Sequence, residues 1–247
     1  MGPRLQTALA LTRAGKGHLT VLVDTPVTRY VAMDPMGGSY FASDALKKAL
    51  AEDDEHAAAL EARLAAESVP FRVIRSENDP VEALARGARL ADLIILSRST
   101  GLAGDVALSS RCPVMMLNDD QPLPQPLTTA CIAWDGGDEA ALALRGSIPL
   151  LAGCESVEIL SVKEKSGGFS CDVALRYLAV HGIEGRLHEL DRRGSTEATL
   201  ANAISHLGGQ LLVMGAFGHS RMREYLFGGV TRHFLEDKAQ PPLLLAH

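Results

Sequence analysis

Two tandem domains, each a doubly wound parallel α/β sheet, are the architecture predicted by this chain of 247 residues. Three observations predict it. The two halves repeat one order of elements. Their strand-like segments are apolar throughout and alternate with helical patterns, as in a parallel sheet covered on both faces. A polar, proline-rich stretch at 118–126 (NDDQPLPQP) separates the copies, so the domains are read as 1–120 and 127–247.

Residues 5–11 have helical apolar spacing and lead into a buried strand at 18–23, as 140–151 lead into 156–162 in the second half. A short strand at 71–74 matches 186–190. The helix opening at Asp79 matches the one opening at Ser195, each with a polar cap and an acidic first turn. The strand at 91–97 matches 209–215, and the last strand, 112–117, matches 241–246. Right-handed crossovers between such strands give a doubly wound sandwich.

The copies differ in three places. The second opens with a strand at 128–134 that ends in Asp135-Gly136, whereas the first passes from Met1 straight into its helix. Either the first domain lacks its first strand, or the natural reading frame begins upstream. The first copy also carries a glycine-containing insertion at 27–43 and a long charged helix at 44–67. After its fourth strand only a short segment, 98–110, stands where the second copy has spaced glycines.

Composition narrows the function classes. A net charge of -6 with no block of Lys or Arg argues against nucleic acid as the main partner. Aromatics at 4% argue against a base-stacking surface. Four scattered cysteines, none in a Cys-x-x-Cys pair, read as reduced thiols. No apolar run is long enough to span a membrane and no secretory leader is recognisable, so a soluble, cytoplasmic protein is expected.

The richest stretch is 213–235, VMGAFGHSRMREYLFGGVTRHFL. Gly215 ends a strand, Gly218 follows in the loop, and Gly228-Gly229 open the terminal helix. Glycines let backbone N–H groups approach an anion closely, and a helix N-terminus favours negative charge. The segment is laid out to hold a phosphate.

Gly215, two residues, Gly218, nine residues, Gly228, together with Asp135-Gly136 at the end of a first strand, resembles the universal stress protein family in a tandem-domain form. The resemblance covers the whole chain, weakly in the first half. It implies Rossmann-like domains of the adenine nucleotide alpha hydrolase type, strand order 3-2-1-4-5, pairing through the last strands within the chain or in a homodimer, and an ATP site in the motif-bearing domain. It places Asp135 beside the ribose or adenine and Val162 by the adenine. Met214 and Gly215 line the base and ribose side, and Gly218, Gly228, Gly229 and Val230 offer amides to the phosphates. In that strand order the first and fourth strands meet at the topological switch point, where a crevice opens beyond their carboxyl ends.

One position departs from the pattern. ATP-binding relatives usually have Ser or Thr after the third motif glycine, where this chain has Gly229. Losing a hydroxyl bond to a charged group costs about 1.5–3 kcal/mol, roughly one to two decades of affinity. Thr231 compensates only if the helix turns its hydroxyl inward. ATP, with or without Mg2+, ADP and AMP all stay open as ligands.

Arg221 and Arg223 are read as solvated, and His219 and His233 as edge residues rather than metal ligands. Ser97-Arg98-Ser99, at the motif's place in the first copy, reads as a degenerate, empty site. No nucleophile elbow, Walker lysine or His-Glu-x-x-His helix occurs. A regulatory nucleotide-binding protein is therefore expected rather than an enzyme, with at most weak ATP hydrolysis or autophosphorylation. An adenylate-handling hydrolase or transferase, and a ligand-free interaction module, are the alternatives.

Overall fold

The computed structural model describes residues 2–33, 39–163, 169–217 and 229–247. It divides into two compact units, one of Leu5–Gly87 and one of Met1–Arg4 with Ala88–His247.

The chain begins with α1 (Pro3–Ala14). The smaller unit then holds β1 (Leu19–Asp24), a two-stranded antiparallel hairpin of β2 (Val31–Met33) and β3 (Ser39–Phe41), α2 (Ser43–Ala65), β4 (Phe71–Ser76) and α3 (Pro80–Gly87). The hairpin lies in the insertion expected at 27–43, and α2 is the expected charged helix. β1 and β4 form a parallel pair from Leu19↔Phe71 to Asp24↔Ser76. α2 is fixed to them by polar contacts: Thr25 bonds Asp53, and Arg75 Nε lies 3.0 Å from Asp54 Oδ1. Exposed ion pairs of this kind contribute only about 0.2–1 kcal/mol each.

The larger unit contains β5 (Ile94–Ser97), α4 (Ala103–Ser109), β6 (Val114–Leu117), β7 (Thr129–Ala133), α5 (Asp138–Leu151), β8 (Ser156–Val162) and α6 (Cys171–Val180). It continues through β9 (Gly185–Leu190), α7 (Thr196–Leu207), β10 (Leu211–Gly215), α8 (Gly229–Glu236) and β11 (Leu243–Ala246). Its sheet has seven strands in the order β5-β6-β11-β10-β7-β8-β9. Read from β9 to β11, the second repeat has the expected order 3-2-1-4-5. The caps follow the sequence too: Ser195 Oγ accepts the Ala198 N–H, and Gly208 closes α7 at φ 66°.

Among the described residues no strand of the first repeat stands in the place of β7, and β1, β4, β5 and β6 are shared between two sheets. Its second and third, β1 and β4, pair only with each other among the described residues. Its fourth and fifth, β5 and β6, join the sheet of the second repeat. The repeat boundary at 118–126 and the division of compact units between Gly87 and Ala88 are thus different boundaries. Composition sets the first, strand pairing the second.

The joint is β6 against β11, antiparallel, with Leu243↔Met116, Leu244↔Met115 and Leu245↔Val114. Every residue of both strands is buried. β11 is also paired with β10 on its other side, so the last strands of the two repeats pair within one chain. No helix among the described residues is long and apolar enough to cross a membrane. All four cysteines are free, and burial pushes the Cys131 thiol up to about 12, with the nearby Glu158 charge adding to the rise.

Glu158 is a buried carboxylate on β8, 3% exposed. Ser156 Oγ donates to it, His188 Nε2 lies 2.6 Å from Oε2, and Arg186 Nη1 lies 3.5 Å from Oε1. Burial alone would raise its pKa. The hydrogen bonds from Ser156 and His188, with the charges of His188 and Arg186, outweigh burial and leave it below the usual value. A depressed carboxylate adds stability above its unfolded pKa, about 4.3, and loses it as pH falls through the folded value. Glu158→Gln is expected to lower unfolding free energy by about 1–3 kcal/mol at pH 7, with the gap closing below about pH 4. Urea titrations across that range check it. At the joint, Leu244→Ala is expected to cost about 2–5 kcal/mol in the same assay, because Leu244 is fully buried.

Candidate functional site

β7 and β10 are neighbours, with Met214 opposite Ala133, so their carboxyl ends open side by side. Beyond β7 the chain is pinned rather than loose. Trp134 donates its backbone N–H to Leu160 O at 2.9 Å and its ring N–H to Phe169 O at 3.1 Å. Phe169 N–H in turn donates to Gly136 O at 2.8 Å. Asp135 Oδ1 accepts the Gly137 N–H at 2.8 Å, an Asx turn that leads into α5. Gly136 makes that turn possible at φ 79°. The carboxylate of Asp135 is thereby held at the strand end.

Val162 is the last residue of β8, half-buried and opposite Leu190. The Met214 side chain is 5% exposed and belongs to the core, leaving its main chain in the ladder between β7 and β11. Gly215 has a packing reason to be glycine. A Cβ there would lie 2.5 Å from Ala140 N and 2.6 Å from Glu139 C, in the first turn of α5. The end of β10 and the start of α5 therefore touch backbone to backbone. Asp135 and Gly215 are linked through that same turn.

Ala216 is fully buried, and Phe217 follows at φ 69°, a left-handed conformation costing about 1–2 kcal/mol for a residue with a Cβ. Three contacts surround it. His247 Nδ1 lies 2.9 Å from Ala216 O, the His247 ring meets the Phe217 ring edge-on at 6.0 Å, and Phe217 N–H reaches Thr231 Oγ1 at 3.5 Å. Gly218 and Gly228 lie outside the described residues, as do His219, Arg221 and Arg223. Gly229 opens α8, and among the described residues a Cβ there would meet nothing within 4 Å. Val230 is half-buried in the same first turn.

Thr231 is 5% exposed, and its hydroxyl faces the backbone of Phe217. The helix register therefore turns this side chain inward, toward the loop that leaves β10. His233 lies beside Phe234, with Nε2 3.8 Å from Asp237. The arrangement offers a held carboxylate, a strand end without side-chain bulk and a helix N-terminus carrying an inward hydroxyl. Those elements suit a polar ligand with an anionic end.

Three residues carry more structure than the sequence suggests. Phe217 sits between motif glycines, and nothing in its type signals a positive φ. His247 follows the last strand with no pattern around it. Arg98, in the segment read as degenerate, is 7% exposed and fully engaged. It donates through Nε to Asn118 Oδ1 at 2.9 Å, through Nη1 to Phe234 O at 2.6 Å and Leu235 O at 3.1 Å, and through Nη2 to Pro241 O at 3.2 Å.

No family model and no curated protein matches the chain. Solved structures do. A universal stress protein from Archaeoglobus fulgidus DSM 4304 superposes with a TM-score of 0.62 at 16% identity, over 96% of this chain and 90% of that one. A putative universal stress protein from Pseudomonas aeruginosa UCBPP-PA14 gives 0.60 at 16% identity, over 98% and 87%. A functionally unknown protein from Pseudomonas aeruginosa PAO1 gives 0.59 at 17% identity, over 98% and 86%. The chain thus shares the fold of these structures along nearly its whole length.

The contact at Gly215 sets a test of packing. Gly215→Ala is expected to push α5 from β10 and to cost about 1–3 kcal/mol in thermal or urea unfolding. An unchanged midpoint would mean that α5 gives way freely.

Proposed function

We propose that this chain is a tandem universal stress protein whose second repeat binds an adenine nucleotide and acts as a cytoplasmic regulator rather than a dedicated enzyme. The observation that carries the reading is the inward hydroxyl of Thr231, turned toward Phe217 at the junction of β10 and α8. It supplies, two positions on, the hydroxyl that Gly229 lacks. The fold shared with universal stress proteins supports the same reading.

In this reading Asp135, oriented by the Gly137 amide, receives the ribose hydroxyls. The ends of β8 and β10, at Val162, Met214 and Gly215, flank the base and ribose. Gly229 and Val230 present amides at the N-terminus of α8 to the phosphates, with Gly218 and Gly228 in the intervening loop, and Thr231 adds its hydroxyl. Mg2+ would neutralise the phosphates of ATP. Bound nucleotide thereby changes the surface offered to partners.

Isothermal titration with ATP, ADP and AMP, with and without Mg2+, tests the reading. Binding lost in Gly218→Val is expected. Gly229→Ser, whose Cβ meets nothing within 4 Å among the described residues, is expected to strengthen ATP binding by less than about tenfold, because Thr231 already supplies a hydroxyl. Silence at millimolar nucleotide, with Gly218→Val indistinguishable from the parent, would sink it. Sustained ATP turnover lost in Asp135→Ala would replace the regulatory reading with an enzymatic one.

A further inference from the structure

The loop after β5 stands where the second repeat carries its motif, and it has taken up a different task. We infer that Arg98 is a positioning residue for the phosphate end of α8. It grips the C-terminal turn of that helix, so that the N-terminal amides and Thr231 are set for an anion. The inference rests on the nucleotide-binding reading above and names the residue that tunes it from the other repeat.

The geometry is specific. α8 has eight residues, about 12 Å from end to end, and a helix that short has little stability of its own. Phe234 O and Leu235 O belong to its last turn, where carbonyls lack helical partners, and Arg98 Nη1 donates to both. The remaining donors of the fork tie that turn to its surroundings. Nη2 reaches Pro241 O, on the segment entering β11, and Nε reaches Asn118 Oδ1, just past β6. Asn118 Nδ2 donates to Gln240 O at 3.1 Å, so one pair of side chains holds both the helix end and the connection leaving it. A cation at a helix C-terminus also complements the macrodipole whose positive end faces the ligand. Lysine, a point charge, cannot span these diverging acceptors as the planar fork does.

The repeat shows what changed. In each half, the residue after the fourth strand bonds to the residue after the fifth. Arg98 bonds Asn118 in the first, and Ala216 bonds His247 in the second. In the first repeat the bond runs between side chains where the second uses the Ala216 carbonyl, and the longer side chain of Arg98 also reaches α8.

The test uses the full chain with Arg98→Met, Arg98→Lys and Asn118→Ala, the last covering the case in which Arg98→Met fails to fold. Amide hydrogen exchange without ligand reads α8 directly, and titrations with ATP and with adenosine read the site. Arg98→Met is expected to raise exchange across 231–236 and to weaken ATP binding by about tenfold, with adenosine unchanged. Arg98→Lys should fall between, and Asn118→Ala should move the same readouts in the same direction. Equal loss for ATP and adenosine would mark general loosening and overturn the inference, as would unchanged exchange in α8. If the parent binds ATP and Arg98→Met binds it as well, the positioning role fails while the nucleotide reading stands. If the parent binds neither ligand, both fall.

Discussion

The antiparallel seam between β6 and β11 is the constraint from which the larger unit follows. Parallel α/β sheets ordinarily end in an edge strand whose free backbone groups invite pairing. Here the last strand of each repeat supplies the other's missing partner, and both are apolar along their length. Seven strands thereby form one sheet across two repeats. The seam also brings the segments just beyond β5 and β6 into bonding distance of α8 and its connection, although they lie more than a hundred residues apart in sequence.

Within that sheet the candidate site depends on a second close approach. The backbone of Gly215 lies against the first turn of α5, which the Asx turn of Asp135 introduces. Strand end, helix start and carboxylate are therefore placed by one another. Packing of the scaffold is by itself a reason for Gly215 to lack a side chain. The strained Phe217 belongs to the same corner, where the ring and carbonyl contacts of His247 hold an unfavourable backbone conformation.

The two copies illustrate how a repeat diverges. β1 and β4 form a parallel pair of their own, and the seam ties β5 and β6 to the sheet of the second repeat. The loop after β5 has Gly101 and Gly104 but not the glycine spacing of the second copy, and it carries an arginine whose Nη1 donates to two carbonyls of the other copy's helix.

Much was legible in the order of residues. Apolar runs without alternation marked parallel strands, Ser195 marked the start of α7, and the spaced glycines marked the corner after β10. These are local signals, set by side-chain periodicity and backbone preference within a few residues. The resemblance to the universal stress protein family carried the strand order of the second repeat. Tertiary structure alone decided which sheet β5 and β6 would join, that Gly215 abuts Glu139 and Ala140, that Phe217 takes a positive φ, and that Arg98 reaches Phe234, Leu235 and Pro241. Each of these depends on partners distant in the chain, and periodicity carries no record of a contact made across a sheet.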